Sequence, residues 1–92
     1  MRTADFTKSF VRLYRKLDEV DKGSVDAAID ELLKSFEGGP VPKGLGLKKL
    51  SGDLWEVRVD LSLRLVFLIS RDRIEFGAVG DHEAIRKCLK NV

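Results

Sequence analysis

The hydrophobic residues change their period once along the chain, and that switch restricts the folds open to it. Phe6, Phe10, Leu13, Tyr14 and Leu17 recur at offsets of three and four, as do Val25, Ala28, Ile29, Leu32, Leu33 and Phe36. Each set falls on one stripe of a helix. From Leu54 the repeat shortens to two: Trp55, Val57, Val59 and Leu61 alternate with Glu56, Arg58 and Asp60, and Ile74, Phe76 and Ala78 alternate with Glu75 and Gly77. Alternation of this kind describes strands with one packed and one polar face. Leu63 to Ser70 is apolar on both faces after Arg64, as a central strand requires.

Turn residues divide these segments. A break is expected at Asp21-Lys22-Gly23-Ser24, with Ser24 capping the second helix, and Gly38-Gly39-Pro40 stops that helix. Pro40 to Gly46 reads as an extended linker, and Arg71-Asp72 as a turn. Asp81 caps a last short helix carrying Ile85, Cys88 and Leu89, while a short first strand fits within residues 1–4. The predicted order is helix, helix, three strands, helix. This is an α+β fold in which a helical hairpin lies on one face of a small, mainly antiparallel sheet of three to four strands, with a short C-terminal helix. At 92 residues the chain makes one domain, 1–92.

Hydrophobic residues make up 43% and charged residues 35%, which suits a packed core inside a charged shell and excludes a disordered chain. The net charge of +2 says little about partners; its distribution says more. Lys43, Lys48, Lys49, Arg58 and Arg64 outnumber the carboxylates between residues 43 and 64, whereas residues 18–37 are strongly acidic. The single cysteine, Cys88, excludes an intrachain disulfide framework and at its helical spacing reads as a small core residue. The N-terminal MRTADFTKSF lacks the apolar centre of a secretion signal, and no apolar run approaches the ~20 residues of a membrane helix, so a soluble cytoplasmic protein without a membrane span is expected.

Strand parity says which residues meet. A two-residue turn at Arg71-Asp72 places Phe67 opposite Phe76 and Arg64 opposite Val79, beside the exit into Gly80, Asp81 and His82. Leu65, Phe67, Ile69, Ile74, Phe76 and Ala78 then share one face; Arg64, Val66, Leu68, Glu75, Gly77 and Val79 share the other. A three-residue loop from Asp60 to Ser62 pairs Arg58 with Arg64 and keeps both on the polar face, which favours it over a two-residue loop. Two opposed arginines repel unless an anion or a carboxylate lies between them. The pattern therefore describes either a phosphate site or an ion-pair network with Glu56 and Asp81.

The stretches LKKLSGDLWEVRVDLSLRLVFLI and FGAVGDHEAIRK, in that order, resemble the RelE/ParE toxins of toxin-antitoxin pairs, on the RelE side. The resemblance rests on a lysine-bearing lead-in, an aromatic-Glu-apolar-Arg-apolar strand, a short turn, Arg-apolar-apolar-aromatic and a closing Gly-x-His. It implies a ribosome-dependent endoribonuclease that cuts mRNA by attack of a ribose 2'-hydroxyl on the adjacent phosphate, without metal or cofactor. It also implies a cognate antitoxin, held in a toxin-antitoxin hetero-oligomer. Arg64 falls on the strand-start arginine expected to stabilise the transition state, and Arg58 on an arginine that orients the phosphate. Lys48 and Lys49 match the basic lead-in that contacts RNA, and His82 matches a histidine that serves as acid or base in some branches. RelE has a catalytic tyrosine near its C-terminus; the only tyrosine here is Tyr14.

Structural readings compete with these. Arg64 can pair with Asp60 or Asp81 to shield an edge, His82 can be an exposed first-turn residue, and Lys48-Lys49 can keep a strand edge soluble. Trp55, Phe6, Phe10, Tyr14 and Phe36 read as core. At the level of function, a ParE-like gyrase inhibitor and an inactive antitoxin-binding module are the alternatives.

Overall fold

The computed structural model describes residues 3–35 and 46–90, with 88–90 described by backbone alone. The expected α+β layout is present. Its elements are β1 (Thr3–Phe6), α1 (Lys8–Arg15), α2 (Glu19–Ser35), β2 (Leu47–Ser51), β3 (Leu54–Arg58), β4 (Arg64–Ile69), β5 (Arg73–Gly80) and α3 (His82–Lys90). The strands form one sheet in the order β1-β5-β4-β3-β2, antiparallel except that β1 runs parallel to β5.

Two of the five strands depart from the expectation. The first strand is Thr3–Phe6, so Phe6 ends a strand and α1 starts only after Thr7, whose Oγ1 accepts the Phe10 N–H at 3.1 Å. The expected lysine-bearing lead-in forms the strand β2; it is short, and its two exposed lysines give it the charged character of an edge strand.

The second helix starts earlier than Ser24. The Asp18 carboxylate accepts the Asp21 N–H at 2.8 Å and the Asp18 carbonyl accepts that of Lys22 at 2.9 Å, so Asp18 opens the helix. A carboxylate is favoured there because it meets unpaired N–H groups at the positive end of the helix dipole. Ser24 lies inside α2, its hydroxyl donating to the Val20 carbonyl at 3.2 Å. Gly23 sits exposed in the helix interior, a position that costs about 1 kcal/mol against alanine. The expected stop at Gly38-Gly39-Pro40, the rest of the linker to 45 and Phe36 lie outside the described residues, as do the side chains of Cys88 and Leu89.

The hairpin between β4 and β5 closes through Arg71-Asp72: the Ser70 N–H donates to the Arg73 carbonyl at 2.9 Å, and Phe67 pairs with Phe76. Past that pair the expected register fails. A bulge leaves Gly77 unmatched, so Val66 pairs with Ala78, Leu65 with Val79, and Arg64 with Gly80 rather than Val79. One extra residue exchanges the faces of everything beyond it. Val79 therefore joins the main core and Ala78 the opposite face. Thr7 anchors the bulge, its N–H donating to the Phe76 carbonyl at 3.1 Å and its hydroxyl to the Gly77 carbonyl at 3.2 Å.

The main core joins Val57, Leu65, Phe67, Ile74, Phe76 and Val79 of the sheet to Phe10 of α1 and to Val25 and Leu32 of α2. Full burial of residues such as Phe67 and Phe76 contributes roughly 1.5–3 kcal/mol each. The expectation that all helices share one face is corrected by α3: its Ile85 packs on Val66 and Ala78, on the other side. Among the described residues no helix is long and apolar enough to cross a membrane.

Candidate functional site

The face that α3 leaves open toward β2 carries a polar row. Lys48 pairs with Glu56, and Arg58 with Arg64, whose other neighbour is Gly80 of β5. Because Glu56 and Arg58 are two apart on one strand, both project to the same face. Together with Gly46 and Leu47, these four side chains line a cleft of about 300 Å³.

Inside it three cations meet one carboxylate. Glu56 is nearly buried, and its Oε2 lies 3.4 Å from Arg64 Nη1. Arg64 is itself partly buried, whereas Arg58 is exposed and has no ion-pair partner among the described residues. Burial of this kind strengthens Arg64's interaction with an anion, and the free Arg58 leaves a donor facing the opening.

The loop from Asp60 to Ser62 fixes the pairing. The Val59 N–H donates to the Leu63 carbonyl at 2.9 Å, leaving the three residues between them as the loop. The Asp60 carboxylate accepts the N–H groups of Ser62 and Leu63, both at 2.8 Å, and the Ser62 hydroxyl at 3.3 Å. Those backbone bonds hold its carboxyl below the ordinary range. Asp60 is thus occupied by its own loop, and Asp81 by the Ala84 N–H at 2.8 Å. Of the carboxylates the sequence offers Arg64, the structure gives it Glu56. The signal in the sequence is position: Glu56 shares the strand face of Arg58, one residue pair from Arg64.

The other expected residues divide. Lys48 lines the cleft; Lys49 projects to the opposite face, its Nζ 6.0 Å from the Trp55 ring centroid. Trp55 packs against the main core. His82 is exposed at the start of α3 and is not among the residues lining the cleft, although it follows Gly80, the partner of Arg64, by two positions. Tyr14 packs against the main core on the far side of the sheet, where its hydroxyl donates to Asp26 Oδ1 at 2.7 Å. That bond, first among the causes, raises the phenol above its ordinary pKa.

No protein-family model and no curated protein sequence matches the chain. Solved structures do match it. A chain of the E. coli DinJ-YafQ toxin-antitoxin complex aligns with a TM-score of 0.76 at 13% identity, over 91% of this chain and 96% of that one. A chain of the RelB-RelE antitoxin-toxin complex from Methanococcus jannaschii aligns at 0.71 and 18%, over 90% and 95%. The chain has the RelE/ParE toxin fold. The YoeB/ParE toxin from Agrobacterium tumefaciens shares this RelE/ParE fold too, with a TM-score of 0.69 and 21% identity over 89% of this chain and 99% of that one.

Proposed function

We propose that this chain is the toxin of a toxin-antitoxin pair and acts in the cytoplasm as a ribosome-dependent endoribonuclease on mRNA. The observation that carries the reading is the direct opposition of Arg58 and Arg64 in a cleft that also holds Lys48. Two guanidinium groups on adjacent strands match the needs of a phosphate that gains negative charge when a 2'-hydroxyl attacks it. Arg64, held by Glu56, stabilises that charge, and Arg58 orients the phosphate. Lys48 contacts the RNA backbone in the cleft, and Lys49, on the opposite face of the edge strand, is left to contact ribosomal RNA, both in the sequence-independent manner of phosphate contacts.

Cleavage also needs a proton acceptor for the 2'-hydroxyl and a donor for the leaving 5'-oxygen. Glu56 is the acceptor among the described lining residues, and the second transfer is assigned to His82, the exposed imidazole at the start of α3, two positions after the Gly80 that pairs with Arg64. No step calls for a metal or a cofactor. The cognate antitoxin binds the toxin and silences it, as the pairing of neighbours of this fold with DinJ and RelB suggests.

The test is induction of the gene in a bacterium with mapping of mRNA 5' ends on ribosomes. Codon-phased cuts with growth arrest are expected, and Arg64→Ala is expected to lower cleavage by about 10²- to 10³-fold, the effect of losing one transition-state donor. Uncut mRNA in arrested or unaffected cells removes the reading. The position of Tyr14 across the sheet and of His82 outside the lining favours a second reading, a ParE-like gyrase inhibitor. Double-strand breaks with intact mRNA would identify it, while an inert protein that still captures the antitoxin would identify a plain binding module.

A further inference from the structure

The two edges of the sheet are guarded differently. The edge strand β2 carries the exposed Lys48 and Lys49, whose charges discourage another strand from pairing with it. The other edge, β1, reads Thr3-Ala4-Asp5-Phe6, without lysine or proline, and its one charged side chain, Asp5, is held by Arg73 Nε at 3.1 Å. Hydrogen bonding to β5 uses alternate residues: the Thr3 N–H donates to the Asp72 carbonyl at 2.9 Å and the Thr7 N–H to the Phe76 carbonyl at 3.1 Å. By that alternation the N–H and C=O groups of Ala4 and Phe6 point away from β5, to a side where no described strand lies.

Phe6 also lines a pocket of about 540 Å³, together with Phe10, Tyr14 and Ile29 and the carboxylates of Asp26 and Asp30. Its ring stacks on Phe76 at 5.4 Å between centroids and meets Phe10 at 5.2 Å, yet the residue is 47% exposed. Both charged residues of the described lining are acidic, and they belong to a helix that holds Glu19, Asp21, Asp26, Asp30 and Glu31 against two lysines. Asp26 accepts the Tyr14 hydroxyl at 2.7 Å and has no ion-pair partner among the described residues. Asp30 pairs with Lys34 at 3.5 Å, but both side chains are exposed, so that pair holds the carboxylate weakly. An apolar floor with uncompensated negative charge thus adjoins an open strand edge.

We infer that β1 and this pocket form the docking edge for the cognate antitoxin, which adds a short strand beside Ala4 and Phe6 with an apolar residue and, two positions on, a lysine or arginine. The inference rests on the toxin reading above and adds to it the surface and the mode of binding. Residues two apart on an added strand share one face, so the apolar one covers Phe6 while the basic one reaches Asp26 or Asp30. A second copy of this chain fits worse, because pairing β1 with β1 brings two sets of these carboxylates to one face of the joined sheet. The edge lies at the opposite end of the strand order from β2 and β3. Capture of the antitoxin strand is therefore separable from blocking of the arginine cleft.

The test titrates the full chain with the protein encoded by the adjacent gene, for the wild type, Ala4→Pro and Asp26→Asn/Asp30→Asn, and follows amide exchange of the wild type free and bound. Proline at position 4 removes an N–H that β5 does not use, so β1 keeps its own ladder. It is expected to weaken binding on the order of 10- to 100-fold, the effect of leaving a strand partner's carbonyl unpaired. Its toxicity should persist and no longer be relieved by the antitoxin. The asparagine pair keeps the shape of the pocket and is expected to weaken binding about 10-fold at low salt and to lose most of its salt dependence. The amides of Ala4 and Phe6 should gain protection in the complex. Wild-type affinity in either folded variant overturns the inference, as does new protection that falls elsewhere; if Ala4→Pro does not fold, the asparagine pair and the exchange decide. Dimerisation of the free chain that protects the same two amides also overturns it, in favour of a second copy. Wild-type protein that neither binds the neighbouring product nor is silenced by it sinks the edge and the toxin reading together, whereas silencing that survives both variants removes the edge alone.

Discussion

Arg58 and Arg64 occupy directly opposed positions on β3 and β4, with the Glu56 carboxylate 3.4 Å from Arg64 as the only opposite charge in their cleft among the described residues. Like charges directly across a ladder cost stability, and one carboxylate offsets only one of them. The site is therefore held short of neutrality by its own register. An anion entering the cleft supplies what the fold leaves out.

Glu56 should then matter to stability and to function separately. Replacing it by alanine leaves Arg64 partly buried without its partner, and a loss of about 1–3 kcal/mol is expected, below the figure for fully buried pairs because water still reaches Arg64. Chemical denaturation of Glu56→Ala, Arg64→Ala and the double variant forms a cycle. A coupling above about 0.5 kcal/mol supports the pair, and strict additivity would show that the contact carries no energy.

Asp60 controls the register that brings the arginines together. Its carboxyl is held below the ordinary range by the Ser62 and Leu63 N–H groups, so the stabilisation is complete above the unfolded carboxyl's pKa and fades as pH falls through the lowered folded value. The protection of the Ser62 and Leu63 amides against exchange, taken relative to the intrinsic rate at each pH, should fall on acidification in the wild type and be low at neutral pH in Asp60→Ala. That variant should also lose cleavage, because a looser turn no longer fixes Arg58 against Arg64. Unaltered exchange in Asp60→Ala would show that the turn holds without the carboxylate.

That register was legible from the sequence because parity left only one loop length with both arginines on the polar face. The Arg71-Asp72 turn and the apolar stripes were legible for the same local reason, except that Phe6, read into the first stripe and the core, ends β1 and is exposed, and Phe36 of the second lies outside the described residues. What escaped depends on distant partners. Thr3 pairs with Arg73, and nothing near either residue specifies a parallel edge. Gly77 looks like one more small residue in an alternating strand; it becomes a bulge because Thr7 binds the carbonyls of Phe76 and Gly77 from the start of α1. The shift from Val79 to Gly80 opposite Arg64 follows from that contact. At the site, Glu56 could be chosen over Asp60 and Asp81 only once both of those were seen to serve backbone N–H groups.

Tyr14 offers a probe remote from the cleft. It is the single tyrosine, and its bond to Asp26, followed by lesser contributions from desolvation and from the charges of Asp26 and Glu19, raises its pKa. The folded value lies above the unfolded one near 10, so this contribution to stability is complete below about pH 10 and is lost as pH rises through the raised folded value. Phenolate absorbance should titrate at higher pH in the folded wild type than in Asp26→Asn. Coincident titration curves would mean that the bond does not form in solution.

Gly80 links the arginine cleft to α3, and its substitution tests whether that junction is as tight as it looks. Its φ of +152° lies where side chains are rarely accommodated, and an added Cβ would come within 2.9 Å of the Ala84 Cβ. Gly80→Ala is expected to cost about 1–3 kcal/mol. Ala84→Gly in the same chain removes the steric part but not the backbone strain, and it adds its own helix penalty of about 1 kcal/mol, so rescue should be partial at best. Thermal unfolding of the two variants separates these contributions. Because Gly80 pairs with Arg64 and precedes Asp81 and His82, cleavage should fall further in Gly80→Ala than in a core variant of equal stability. Equal losses in the two would show that the strained glycine serves only to turn the chain into α3.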